Sequence, residues 1–240
     1  MCVICGSREN PLVERLPRQL VRKVEFSYTE WERGVSVSLV KLGDALSETG
    51  DRNRAIAAYE ESLAIKRRLA ADEPANALWQ HDVSVSLDRV GATRLAAGDQ
   101  AAAHAAYDES LAIRRKLVTI DPRNVGWQYD LSLSLDQVAE VRLATGDRKG
   151  ALKTYEESLA IVRKLVASDV GNLKWQSALV ISLYKVSTAS ERARARETLR
   201  EALSIVERLE REGRLPGERR RWPEIFRNAL AKLTEASEAR

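Results

Sequence analysis

Tyr59-Glu-Glu-Ser-Leu-Ala-Ile-Lys-Arg-Arg-Leu69 returns as Tyr107-Asp-Glu-Ser-Leu-Ala-Ile-Arg-Arg-Lys-Leu117 and again as Tyr155-Glu-Glu-Ser-Leu-Ala-Ile-Val-Arg-Lys-Leu165, a spacing of 48 residues each time. The tryptophans keep the same interval. Trp31, Trp79, Trp127 and Trp175 are each 48 apart, Trp222 follows after 47, and these are all 5 tryptophans of the chain. A period of this size marks stacked supersecondary units that bury their apolar faces against their neighbours.

Composition agrees with helices as the unit. The chain has 240 residues, 44% hydrophobic and 31% charged, with only 6 prolines, a profile suited to amphipathic helices rich in Ala, Leu, Glu, Lys and Arg. The net charge of +4 comes from 39 basic and 35 acidic residues that interleave along the helices, which is the pattern of solvated faces rather than of a polyanion-binding surface. No apolar run approaches the ~18 residues of a membrane span, and the N-terminus lacks the apolar core of a signal peptide. Two cysteines cannot build a disulfide framework. The expected location is therefore the cytoplasm.

Around the repeated stretch the local signals divide the chain. Residues 1–26 read as a loose tail with a short helix at Leu16–Val24, 27–74, 75–122 and 123–170 as three full repeats, 171–213 as a degenerate fourth, and 214–240 as a capping helix. In the first repeat a helix is expected near Thr29–Ser47, with Val35, Ser38, Leu39, Leu42, Gly43 and Leu46 on its packed face. Gly50, Gly98 and Gly146 are placed to end first helices in the left-handed conformation, and Asp51, Asp99 and Asp147 to cap the second helices. The second helix, Arg52–Ala70, should bury Leu63, as its counterparts should bury Leu111 and Leu159. Asn76, Asn124 and Asn172 recur ahead of Trp79, Trp127 and Trp175 as caps of the next first helices, and the tryptophans read as wedges between units.

Leu39-x-x-Leu42-Gly43, Gly50, Ala55-x-x-x-Tyr59 and Pro74, echoed by Leu87, Val90-Gly91, Gly98, Ala103, Tyr107 and Pro122, resemble the tetratricopeptide repeat pattern. The third unit keeps Leu135, Val138, Gly146, Ala151 and Tyr155 but carries Ala139 and Val170 in place of the glycine and the proline. The period exceeds the family's 34 by 14, which implies helices of about 18 to 20 residues, near 30 Å each. The resemblance implies an all-α, right-handed α-solenoid of antiparallel helix pairs. Its phrasing is similar to long-period bacterial arrays that accompany signalling or defence domains.

Chemistry is sparse. Cys2 and Cys5 have C-x-x-C spacing, yet nothing else in the chain completes a zinc or redox site. There is no phosphate loop, nucleophile elbow or paired metal-ligand motif, so no catalytic residue, metal or cofactor is expected. His81 corresponds to Arg33, Tyr129 and Ser177, a polar set that reads as a surface choice, and His104 to the aliphatic Ile56 and Leu152. The resemblance implies a non-catalytic function, a protein-interaction scaffold that holds a peptide or partner helix in a concave groove.

By the resemblance, that groove is lined in the first helix by Val37, Val40 and Asp44, and in the second unit by Val85, Asp88, Ala92 and Leu95. Leu133, Asp136, Glu140 and Leu143 follow in the third, Ile181 and Tyr184 in the fourth. Aliphatic and acidic residues dominate, so the expected partner has apolar anchors and basic residues. Alternatively, Asp88, Asp136 and Glu140 only solvate an idle groove or pair with Arg89, Arg94 and Arg142. Two alternative functions compete. One is nucleic-acid binding through Lys66–Arg68, Arg114–Lys116 and Arg219–Arg221, which the family places outside the groove. The other is self-association at an N-terminal edge that the pattern leaves poorly covered.

Overall fold

The computed structural model describes residues 18–238, with side chains over 28–234; the expected tail and Cys2 and Cys5 lie outside them. Among the described residues all regular structure is helical. The helices are α1 (Arg18–Glu48), α2 (Arg52–Asp72), α3 (Ala77–Ala96), α4 (Gln100–Ile120), α5 (Val125–Ala144), α6 (Arg148–Ser168), α7 (Leu173–Ala189), α8 (Arg192–Arg211) and α9 (Trp222–Glu238), with one 3-10 turn at Gly217–Arg219. They form two compact units, one holding α1 to α3 and ending at Ala97, the other holding α4 to α9 from Gly98. Within each unit every helix packs on the next in sequence.

The turns follow from the repeated glycines and aspartates. Gly50, Gly98 and Gly146 have φ of 84, 86 and 89°, a region that costs a residue with a Cβ. At the first and third of these turns the next amide closes the helix end, Asp51 N–H donating to Leu46 C=O and Asp147 N–H to Arg142 C=O, both at 2.9 Å. Each aspartate then accepts from an otherwise unpaired amide of the following helix: Asp51 from Arg54, Asp99 from Ala102, Asp147 from Gly150. Asn76, Asn124 and Asn172 do the same for α3, α5 and α7. The fourth pair lacks the glycine turn, and Ser190 and Glu191 alone join α7 to α8.

Small residues let first and second helices approach. Ser62 is fully buried and donates to Ser36 C=O at 2.9 Å, and Ser158 repeats the contact on Ser132 C=O at 3.1 Å. Leu63, Leu111 and Leu159 are buried. In the second unit, Tyr155, Leu159 and Val162 of α6, Leu179, Leu183 and Val186 of α7, and Leu199, Ala202 and Val206 of α8 share one core, and α9 adds Phe226 to it.

Two expectations are corrected at α1. The short helix ending near Val24 and the helix from Thr29 are one element of 31 residues, because Glu25-Phe-Ser-Tyr28 offers neither proline nor glycine to stop the first. The packed face is also rotated. Glu32, Ser36 and Gly43 are buried, whereas Ser38 and Leu42 are exposed. Their counterparts on α3, Ser86 and Val90, are buried on the helix that packs against α2. Among the described residues no helix precedes α1 to cover the equivalent surface.

Candidate interaction surface

The first helices carry an aliphatic residue at one repeated position, Val37, Val85, Leu133 and Ile181. Val37, Leu133 and Ile181 are exposed at 45, 38 and 38%, and Val85 is half-buried. None is spent on the core. Tyr184, at 43%, adds an aromatic edge on α7 and meets the Phe226 ring at 6.0 Å. Val40, Leu95 and Leu143 are half-buried, and Ala92 is exposed.

In the first unit the acidic member is Asp44, and it is already engaged. Its Oδ1 accepts from the Tyr59 hydroxyl at 2.7 Å and pairs with the Arg89 guanidinium, which also lies over the Tyr59 ring. Gly43 makes room for this ring, since a Cβ there would sit 2.5 Å from Tyr59 Cε1. Burial, and then the Asp44 carboxylate, push the Tyr59 phenol up to about 12 from its ordinary 10.0. The folded-state value is the higher one, so this group contributes stability that is fully present below about pH 10 and is lost as pH rises through about 12. Tyr59→Phe should therefore lose about 1 kcal/mol at neutral pH. It should also show a shallower alkaline loss than wild type in urea unfolding across that window. An unchanged alkaline slope would mean that Tyr59 is not the group responsible.

The second unit repeats the device 96 residues later with different side chains. Lys185 Nζ lies 3.1 Å from Asp136 Oδ2 and 2.7 Å from Glu140 Oε1. Asp136 is buried, and its Oδ1 has no hydrogen-bond partner. Burial holds its carboxyl above the usual range against the pull of Lys185. For Lys185 burial works downward, but the two carboxylates outweigh it and the net direction is up. Tyr155, the counterpart of Tyr59, is raised by burial and then by Glu140 and Asp136.

These bridges were readable as a base 45 residues after an acid, Asp44 to Arg89 and Glu140 to Lys185. The intermediate pair, Ala92 and Gln137, carries neither charge. Of the three arginines considered as partners for Asp88, Asp136 and Glu140, Arg89 pairs instead with Asp44. Arg94 reaches Glu60, and Arg142 donates to Thr154 Oγ1 at 2.8 Å. Asp88 is half-buried on α3.

One residue of each second-helix basic cluster is consumed inside the fold, and others are engaged at the surface. Lys66 is buried with Nζ 2.8 Å from Ser86 Oγ, and burial lowers its pKa against the field of Asp82. Arg114 is buried at the same register and donates to Asp130 C=O and Ser134 Oγ at 2.7 Å each. Arg68 pairs with buried Glu32, Arg115 with Glu157, and Arg219 lies 4.9 Å over the Trp222 ring. The reading of the His81 position as a surface choice is corrected at Ser177, which is buried, and at Tyr129, which packs on Trp175, whereas Arg33 stays exposed over the Trp79 ring. His104 Nδ1 is 3.0 Å from Asp108 Oδ2 on the same helix.

Among the described residues no cluster of three or more His, Cys, Asp or Glu could hold a metal ion, and no helix is long and apolar enough to cross a membrane.

Residues 35–74 match the family described as tetratricopeptide repeat. Among solved structures, the nearly identical TPR-like repeats assigned to a kinesin light chain of Podosopora anserina are similar at a TM-score of 0.56, with 18% identity over 85% of this chain and 87% of that one. A singly substituted form of the same protein gives 0.56 and 17% over 85 and 86%. At such identity the likeness is one of fold. No curated protein matches the chain. Residues 35–74 are thus similar to the tetratricopeptide repeat family, within a chain whose helical pairs have a tetratricopeptide-like fold.

Proposed function

We propose that this chain is a non-catalytic protein-interaction scaffold whose first helices, within each unit, take a peptide or partner helix by apolar anchors. The observation that carries this reading is the aliphatic residue at the 37, 85, 133 and 181 positions, exposed in three of the four helices. Apolar side chains left in water at a fixed register are what a docking face presents. The neighbouring carboxylates are bridged by Arg89 and Lys185. Basic residues of the partner would meet acids that already hold a cation, so charge contributes to selectivity and encounter rate more than to affinity. Membership of the long-period bacterial class, and a place beside signalling or defence domains in the cytoplasm, belong to this proposal through the sequence resemblance.

The test uses a displayed library of peptides with Leu, Ile and Phe anchors, selected on the full chain. Replacing Val37, Leu133 and Ile181 together by Ser should weaken the selected peptides at least about tenfold and leave the circular dichroism spectrum unchanged. Equal binding by the triple variant would sink the docking face. A nucleic-acid role, the competing reading, predicts instead retention of random DNA and RNA with a steep salt slope.

A further inference from the structure

We propose that a second copy of this chain covers an exposed row on α1, the two α1 helices pairing antiparallel in a reversible dimer. Tyr28, Trp31, Val35, Ser38, Leu42 and Ala45 follow one another at alternating steps of three and four, the spacing of a helix-to-helix seam. In the sequence the same spacing runs back to Val24 and Val21, whose side chains lie outside the described residues. Trp31 is 61% exposed, Leu42 48% and Tyr28 39%. A tryptophan left this open beside two more large apolar residues is an uncommon cost on a surface that meets only water.

The repeat itself indicates what shape of partner this row fits. The counterparts of Ser38, Leu42 and Ala45 are Ser86, Val90 and Thr93 on α3, Ser134, Val138 and Val141 on α5, and Ser182, Val186 and Ala189 on α7, and all nine are buried. α3, α5 and α7 pack against α2, α4 and α6, the helices before them. The row on α1 is therefore a surface that the fold elsewhere covers with a helix.

The sizes along the row select an antiparallel copy. A parallel pair in register sets Trp31 on Trp31 and Ser38 on Ser38, crowding one layer and leaving another hollow. An antiparallel pair about a twofold axis between Val35 and Ser38 opposes unlike side chains in each layer, the larger to the smaller: Tyr28 to Ala45, Trp31 to Leu42, Val35 to Ser38. It also lays Lys41 across the second copy's Gly34, where nothing lies within 4 Å of a would-be Cβ. Such an interface is isologous and closes at two copies. The seam from Tyr28 to Ala45 is only about 26 Å long, which belongs to the small, weak class of interfaces.

Sedimentation velocity on the full chain, from low micromolar to several hundred micromolar, should show a monomer–dimer equilibrium. Trp31→Glu with Leu42→Glu should raise the dissociation constant at least about tenfold at unchanged helicity, and Trp31→Gln with Leu42→Gln serves if the charged pair unfolds the chain. Orientation is read in a Cys2→Ser, Cys5→Ser background. Chains carrying Tyr28→Cys and chains carrying Ala45→Cys should form an oxidised dimer when mixed, and neither should do so alone. The proposal is overturned by a chain that stays monomeric, whether its own first 17 residues or another protein covers the row. It is equally overturned by a dimer indifferent to both double substitutions, or by Tyr28→Cys chains that cross-link among themselves. The Val37, Leu133 and Ile181 variant should dimerise normally, so failure here and failure of the docking face are distinguishable.

Discussion

Lys185→Met should destabilise the protein by about 3–5 kcal/mol, the cost of stripping a buried carboxylate of its compensating charge. Asp136 is 5% exposed, one of its oxygens already lacks a hydrogen-bond partner, and Lys185 is the cation on the other. Glu140, the second carboxylate on the lysine, is half in water and loses less. The deficit should depend on pH. Burial already holds the Asp136 pKa above its ordinary 3.8 against the lowering field of Lys185, so removing the lysine raises it further. An acid whose folded pKa exceeds its unfolded one contributes stability that is present below the unfolded value and lost as pH rises through the folded one. The variant should therefore approach wild type near pH 4 and fall furthest behind at neutral pH. Adding Asp136→Asn should recover most of the loss. Urea unfolding at the two pH values decides, and a deficit equal at both would mean that lost packing, rather than charge, is the cause.

Leu159→Ala should cost about 2–5 kcal/mol, combining lost transfer energy with the cavity left behind. Leu159 sits at 3% exposure in the core that α6, α7 and α8 share, and fixed helix pairs on either side of α6 limit how far the site can collapse. Leu133→Ala is the matched control. Leu133 is 38% exposed on α5, so the same truncation should cost at most about 0.5 kcal/mol. Comparable losses at both positions, by urea unfolding at neutral pH, would show that the assigned core and docking faces are wrong.

The contrast between Leu159 and Leu133 was partly legible without coordinates. Helix ends, turns and the buried second-helix leucines are set by interactions over three to five residues, such as a left-handed Gly50, the cap of Asp51 on Arg54 and the helical-period return of Leu63 after Tyr59. Repetition made these local signals unambiguous. The proposed groove residues come from family analogy, and of these Leu133, Ile181 and Tyr184 are exposed apolar side chains on α5 and α7.

What tertiary structure alone decided is the state of the charges and the coverage of α1. Lys66 and Arg114 stand in runs of basic residues that look solvated in sequence, yet each is buried, because Ser86 and Ser134 arrive from the next helix 20 residues later to accept from it. Asp44, Asp136 and Glu140 likewise look like open carboxylates until Arg89 and Lys185 cross from the following first helix. Leu42 looked buried because its repeat partners are. Sequence spacing by itself determined which face of a helix a residue occupies. Whether that face meets water, a counter-charge or another helix depends on the packing of neighbours distant in the chain, and only the folded arrangement supplies them.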